Sequence, residues 1–375
     1  MTNETEKATD LPGRVRDLSL GPIAARASEI DTERRFPEKS IAELADVGAL
    51  GLMASSESAS LAALAESCEV IGSACASTGM VFLMHSIATA TVAGGGGEQS
   101  EELLSRLADG ALGTLAFSER GTGAHFYAPD ITAERSGEAV SISGRKSFVT
   151  SGGHADIYLV LVASDSGEGA DCYAIKRDAA GVSFSGEWDG LGMRGNSSIA
   201  MELKEVEVTE ADRIGEAGAG GDLVFGVVAP NFLVGLAAVN VGIASAALAT
   251  ATDHITGRSY ADGSGLAEVQ SIQHALADMD MTVNTARLAV TEAARLGDAG
   301  DEGALVALME AKVIATEAAR AVTERALESC GGQAYTPALS IERNLRDARA
   351  GVVMAPTNGV LRNWIGKAIA GLPVP

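Results

Sequence analysis

The sequence predicts an α+β protein in which a middle domain of antiparallel β-structure separates an N-terminal helical domain from a C-terminal helical domain. Three observations predict it. Apolar residues recur every three to four positions from Val15 to about Gly110, and again from Leu223 through Leu361. Between these stretches, alternation and β-branched residues take over, separated by short turn clusters. Alanine is abundant and aromatic residues make up only 4% of the chain, which favours helices because alanine loses no side-chain entropy on entering one. The order α, β, α rather than alternating βα units suggests a small sheet or barrel between two helical bodies. A chain of 375 residues is long enough for two or three domains, with boundaries expected at 1–112, 113–217 and 223–375.

In the first domain, Ile41, Leu44, Ala45, Val47 and Ala49 follow Phe36-Pro37, and Leu61, Leu64, Cys68, Val70 and Ile71 continue the helical spacing. Gly94 to Gly97 interrupts the pattern before an amphipathic segment, Glu101 to Ala108. No Lys-Ser/Thr follows these glycines, so they read as a helix–helix connection rather than a phosphate cradle. Strands are expected at Ala139–Ser143, Ile157–Val162, Tyr173–Ile175 and Ala200–Leu203, with turns at Arg135-Ser136-Gly137 and Ser164-Asp165-Ser166-Gly167. After the glycine-rich stretch Gly215 to Gly221, two long helices are expected, Val234 to Ile255 and Leu305 to Glu328.

The charge excludes some functions. With 28 Lys+Arg against 50 Asp+Glu the net charge is −22, the wrong sign for binding nucleic acid. The apolar fraction is too high, and the charges too interspersed, for a disordered chain. Cys68 and Cys75, two helical turns apart, read as core residues on one helix face. Cys172 and Cys330 are too scattered for a disulfide framework or a zinc site. Met1 to Asp10 lacks the basic and apolar regions of a signal peptide, and the longest apolar runs, such as Leu233 to Val241, fall well short of ~20 residues. The expectation is a cytoplasmic protein without a membrane segment or a metal.

Residue by residue, no complete catalytic set emerges. His85, His125, His154, His254 and His274 are spread apart without metal-ligand spacing. No GxSxG or P-loop occurs, and Gly121-Thr122-Gly123 is too short for a dinucleotide fingerprint.

Longer motifs carry more. Leu115-Ala116-Phe117-Ser118-Glu119-Arg120-Gly121-Thr122-Gly123-Ala124-His125 resembles the Thr-Glu-Pro-Gly-x-Gly-Ser-Asp segment of the acyl-CoA dehydrogenases. Gly144 to Asp156 is similar to that family's Gly-x-Lys-x-Trp/Phe-Ile-Thr-Asn-Gly-x-x-Ala-Asp strand, and Leu191-Gly192-Met193-Arg194-Gly195-Asn196-Ser197 to its Leu-Gly-Met-Arg-Gly-Ser loop. Arg258 with Gln270, Glu328 to Gly332, and Glu342 to Arg349 repeat its C-terminal signatures in order, and Phe36-Pro37 through Gly51 resembles its N-terminal domain. The resemblance spans nearly the whole chain. It implies an FAD-dependent oxidoreductase, a homodimer or homotetramer, with a C-terminal four-helix bundle.

The resemblance also implies roles. Phe117 and Ser118 would run along the flavin, with the Ser118 hydroxyl at its pyrimidine edge. Phe148, with Val149 beside it, would pack on the isoalloxazine, and Thr150 would hydrogen-bond near N5. Arg258 would meet the FAD pyrophosphate, while Gln270, Gly331 and Gly332 would approach the adenosine half from a neighbouring chain. Thr357 stands at the family's flavin-contacting threonine, and Ala124, Met354 and Ala355 would line the substrate. Arg194 and Arg346 read as interdomain ion-pair residues rather than substrate ligands.

One departure bears on mechanism. The family's base removes the α-proton of an acyl thioester while the flavin takes a hydride. That base usually sits in a Tyr-Glu-Gly-Thr loop, which here reads Val353-Met354-Ala355-Pro356-Thr357-Asn358, so Ala355 occupies its position. The alternative family position, on the first helix of the C-terminal bundle, aligns with Phe232, beside Leu233 and Pro230. Neither alanine nor phenylalanine accepts a proton.

Three readings remain. One is a dehydrogenase or oxidase with a displaced base such as Glu119. Another is a flavin-dependent monooxygenase of the same fold, using FMN or reduced flavin from a reductase, with His85 or His125 as hydrogen-bond partners. The third is a non-catalytic flavin subunit of a hetero-oligomeric dehydrogenase. An electron-transfer flavoprotein or a flavin reductase is the expected redox partner. The net charge would oppose the approach of coenzyme A or an acyl-carrier protein, and no cluster among the 28 Lys+Arg is evident in the sequence to offset it.

Overall fold

Ser60 stands in an extended conformation, and its hydroxyl accepts the Ala63 amide at 3.0 Å, so a helix starts at Leu61. In this computed structural model, which describes residues 10–55, 57–123, 125–137, 139–166 and 168–374, that helix belongs to a helical N-terminal third. It comprises α1 (Leu11–Leu18), α2 (Ala24–Thr32), α3 (Glu38–Asp46), α4 (Leu61–Ala74), α5 (Ala76–Gly95) and α6 (Ser100–Ala108). Gly96 and Gly97 leave α5 with φ of 65° and 129°, a conformation that glycine adopts without strain, and so make the connection expected there.

Two expectations need correction. Cys68 and Cys75 do not share a helix: Cys75 is extended (φ −154°, ψ 109°) and breaks the chain between α4 and α5. The break lets helices meet at minimal separation, since a Cβ on Gly79 would lie 3.0 Å from the Gly72 Cα, and one on Gly72 would lie 3.0 Å from the Val239 Cα. The apolar stretches are also longer than expected. Ala76–Gly95 and Gly220–Gly257 are both long and apolar enough to cross a membrane by length and composition. Their most apolar windows are 94% and 72% buried inside the protein, which marks them as core helices, and every residue from Ala76 to Val92 is buried.

The middle region forms two four-stranded sheets from β1 (Gly113–Ala116), β2 (Ala133–Ser136), β3 (Ala139–Val149), β4 (Ile157–Ala163), β5 (Ala170–Lys176), β6 (Val182–Ser185), β7 (Ile199–Val208) and β8 (Arg213–Ile214). The strand orders are β1-β4-β5-β8 and β2-β3-β7-β6. The structure is not wholly antiparallel, because β1 pairs with β4 in parallel, Gly113 opposite Ile157. Asp156 explains the direction. Its carboxylate accepts the Leu112 amide at 2.9 Å, while the Leu112 carbonyl accepts the amides of Asp156 and Ile157, so both strands start from one clasp. Tyr158 and Tyr173 are buried inside this region.

The C-terminal helices are α7 (Gly220–Leu223), α8 (Ala229–Gly257), α9 (Gln270–Asp298), α10 (Ala304–Cys330), α11 (Ile341–Val353) and α12 (Asn358–Ile369), with a π-helical turn, Val224–Val228, joining α7 to α8. α8 is the axis of the molecule, packing against α9, α10 and α11 and also against α4 and α5 of the N-terminal third. At Gly351, α11 comes so near α8 that a Cβ would lie 2.6 Å from the Asn240 amide nitrogen.

Candidate functional site

The segment after β1 and the end of β3 lie side by side, because the Ser147 amide donates to the Ser118 carbonyl at 2.8 Å. Phe148, the penultimate residue of β3, has a φ of 54° that turns its ring away from the core. The ring is 72% exposed, an unusual display for phenylalanine at the end of a strand whose next residue, Val149, is 1% exposed. The side chains of Phe117 and Val149 point into the core, which leaves only their backbone for a ligand. Thr150 is held from below: its carbonyl accepts the Thr114 hydroxyl at 2.8 Å, and its own hydroxyl lies 3.0 Å from that of Ser198, which donates to Asn196. Among the described residues, the Asn196 amide nitrogen and the Ser151 hydroxyl are buried without a hydrogen-bond partner. Ser198 and Asn196 were missed by the sequence reading. A Ser-Ser pair after a glycine-rich loop carries no signal until the sheet brings it under Thr150.

A loop from the C-terminal helices comes next. Val353 to Thr357 joins α11 to α12, and each flanking helix is tied to the middle region. On the α11 side, the Met193 amide donates to Asp347 at 2.6 Å, and the backbone of Gly192 lies against that of Arg346. On the α12 side, Trp364 stands 6.3 Å from the Tyr127 ring, which also packs on Phe225 at 5.1 Å. Met354 and Ala355 are half-buried in this loop. Thr357 caps α12 by accepting the Val360 amide at 3.4 Å. Phe232 lies half-buried on α8 and supplies no proton acceptor. Ala124, assigned to the substrate pocket, lies outside the described residues.

Arg258 ends α8, with its guanidinium 5.7 Å from the centre of the Tyr260 ring. Among the described residues it has no carboxylate within 4 Å, so its charge is free for an anionic group. Gln270 begins α9 and is exposed. Gly331, with φ of 64°, and Gly332 form an exposed turn after α10 that borders open space.

Two candidates for the catalytic chemistry, Glu119 and His85, are held by partners within the protein. Glu119 is 8% exposed and fully engaged: one oxygen accepts the buried Lys146 ammonium at 2.5 Å and the other the amides of Asp130 and Ile131. Burial pulls the Lys146 amine down, Glu119 opposes this, and the 2.5 Å contact makes the two an internal ion pair. His85 is fully buried, with Nε2 2.9 Å from the Leu50 carbonyl and Nδ1 accepting the Gly113 amide at 3.1 Å. Burial lowers its pKa to about 4, so it is a neutral strut between the helical and β regions. His125 is exposed, edge-on to Tyr127 at 5.7 Å. Arg346 is an interdomain residue as expected, bonded to Asp31 at 2.6 and 2.8 Å and to Glu342.

The chemistry of these residues fits a flavin: Phe148 offers a flat, exposed apolar face, Ser118 and Thr150 nearby in the sequence carry hydroxyls, and Arg258 has no carboxylate partner among the described residues.

The chain matches three family models: acyl-CoA dehydrogenase N-terminal domain over residues 5–111, middle domain over 114–206 and C-terminal domain over 234–370. It is 31% identical to cyclohex-1-ene-1-carbonyl-CoA dehydrogenase of Syntrophus aciditrophicus, over 98% of this chain and 91% of that protein. It is 29% identical to the mitochondrial short-chain specific acyl-CoA dehydrogenase of Sus scrofa, over 92% and 86% respectively. Butyryl-CoA dehydrogenase from Megasphaera elsdenii superposes with a TM-score of 0.91 at 25% identity, covering 97% of this chain and 98% of that one. Matched from its helical start to its last helix, the chain belongs to the acyl-CoA dehydrogenase family of flavin-dependent oxidoreductases.

Proposed function

We propose that the protein binds FAD at Phe148, Ser118 and Thr150 and oxidises an acyl thioester or a related small substrate without a carboxylate at either family base position. The observation that carries this reading is an outward-turned, exposed Phe148 near the end of β3, in a chain whose α11–α12 loop carries Ala355 at the family's base position. Bound FAD would supply the hydride acceptor. The protein's own residues orient it: Phe148 holds the ring face, Ser118 and Thr150 bond its polar edge, and Thr357 adds a contact from the C-terminal loop. Arg258, Gln270 and the Gly331-Gly332 turn would serve the flavin of a neighbouring chain in a homodimer or homotetramer. Met354 and Ala355, with Ala124, would line the substrate. The relatives named for acyl-CoA substrates support a thioester. Domains at 1–112, 113–217 and 223–375, a cytoplasmic location and an electron-transfer flavoprotein as acceptor complete the reading.

Proton removal then falls to a group outside the two family positions, to the substrate or to solvent. Glu119 and His85 are both withdrawn from that task by their partners. The monooxygenase reading loses His85 for the same reason.

Anaerobic mixing of the FAD-loaded protein with a panel of acyl-CoA and acyl-carrier thioesters tests the proposal. At least one should bleach the flavin's visible absorbance. In Ala355→Glu, bleaching by saturated acyl-CoAs should accelerate by ~10²-fold or more, the scale of a positioned general base. No bleaching by any thioester in either protein, with turnover only from reduced flavin and oxygen, would overturn the dehydrogenase assignment.

A further inference from the structure

Lys312 lies on α10 between Ala311 and Val313, and none of its surface is exposed. A lysine is among the residues least often found in such a place, and then usually beside a carboxylate. Among the described residues no acidic side chain pairs with it, and burial drives its pKa down to about 7. Its partners are all on one loop. Nζ donates to the Asn358 side-chain oxygen at 2.8 Å, to the Pro356 carbonyl at 3.1 Å and to the Met354 carbonyl at 3.5 Å. Thr316, one turn further along α10, exchanges hydrogen bonds with the same Asn358 amide group at 3.0 and 3.2 Å.

The carbonyls explain the need. Met354 is the first residue beyond α11 and has extended backbone (φ −62°, ψ 130°), and α12 does not begin until Asn358. Met354 and Pro356 therefore point carbonyls out of a stretch without helical or sheet partners, and Pro356 itself is buried. A methionine at 312 would fill the same volume and leave those oxygens unsatisfied. The lysine's donors match the acceptors of this loop.

We propose that Lys312 is a positioning residue: from inside the helical bundle it grips the Met354 and Pro356 carbonyls and the Asn358 amide, and so fixes the loop that presents Met354, Ala355 and Thr357. That the loop lines the flavin and substrate rests on the function proposed above; that Lys312 sets its path does not. The device acts through the loop backbone, so it holds whatever side chain stands at 355. It keeps the site's floor in place in a protein that lacks the family's glutamate there.

Amide hydrogen exchange of the full-length protein, with and without FAD, tests this on wild type, Lys312→Met and Lys312→Gln. In Lys312→Met, exchange at Val353 and at the first amides of α12, Asn358 to Leu361, should accelerate at least tenfold. The amides of α8 and of α10 from Leu308 to Ala326 should keep their protection. Lys312→Gln, which retains an amide donor, should recover part of the loop protection. FAD affinity in Lys312→Met should fall by ~10-fold. An acceleration spread evenly over α8, α10 and the loop, or no acceleration in the loop, would overturn the proposal and make Lys312 a core filler. If Lys312→Met does not fold, the same comparison on Lys312→Gln decides. Loop-specific acceleration with unchanged FAD affinity supports the clamp, and then it is the placing of the loop at the flavin that fails.

Discussion

At the scale of single residues, the same side-chain types serve opposite ends depending on what surrounds them. Glu119 is a carboxylate in the motif after β1, beside the residues proposed to hold the flavin, yet its oxygens are engaged within the protein. It neutralises Lys146, whose side chain is 0% exposed and which also bonds the Leu161 carbonyl, and it ties the Asp130–Ile131 backbone to the sheet. Removing one member of such a pair strands a charge in low dielectric, a loss of about 3–5 kcal/mol. Glu119→Ala should therefore lower the thermal midpoint sharply, while Glu119→Ala combined with Lys146→Met should recover most of the loss. Thermal unfolding of both variants checks this. Flavin bleaching by the double variant at a rate near wild type would separate the structural pair from the chemistry; a stable double variant that binds FAD but reacts with no thioester would restore Glu119 as a base.

At the scale of elements, α11 joins the parts of the molecule. Arg346 reaches Asp31 of the N-terminal helices, Asp347 receives Met193 of the β-region, and the helix then delivers the Ala355 loop. Asp347 is 3% exposed, and burial pushes its carboxyl up to about 6, against the help of the Met193 amide. Its unfolded value is near 3.9, so between about pH 4 and 6 the native state holds more protons than the unfolded chain. Stability from this group therefore falls as pH rises through that window, and the penalty is complete above about pH 6. Asp347→Asn keeps an acceptor for Met193 without the charge. Its advantage over wild type should be near zero at pH 4, grow through pH 6 and level off at no more than about 3 kcal/mol. Denaturant titrations across that range would show a flat difference if Asp347 were instead stabilised as the anion.

How far the sequence could be read also follows element by element. The helical periodicity of α3, α6 and α10 was legible because burial on one face dictates composition, and β4 was legible because burial on both faces makes it a continuous apolar run. The parallel pairing of β1 was not, since it depends on the Asp156 clasp 44 positions away from Leu112. Phe148 and Arg258 were legible only through resemblance. Lys312 was hidden because it is one of several charged residues on α10, and the sequence does not distinguish one that faces a loop from those that face water.

At the scale of the whole molecule, the net charge of −22 meets a ligand class that is itself anionic. The structure does gather cations in places. Arg106, Lys176 and Arg177 line one cleft of about 350 Å³, but Asp156 and Asp178 line it with them, leaving little net field. Most other arginines are committed to carboxylates: Arg346 to Asp31 and Glu342, Arg287 to Glu69, Arg349 to Glu324 and Arg362 to Glu317. Arg258 is free, but its assigned task is the flavin phosphate. A coenzyme A ester would thus approach against a repulsive long-range field, met by short-range contacts only at the end of its path. Raising ionic strength from about 0.02 to 0.2 M shortens the screening length from about 20 to about 7 Å, which removes most of the repulsion while leaving desolvated contacts intact. The association rate of a bleaching acyl-CoA should therefore rise several-fold over that range, with its dissociation rate changed far less. Stopped-flow measurement of both rates decides the point. An association rate that falls with salt would mean that a local basic surface, assembled between subunits around residues such as Arg258, governs the approach in place of the global charge.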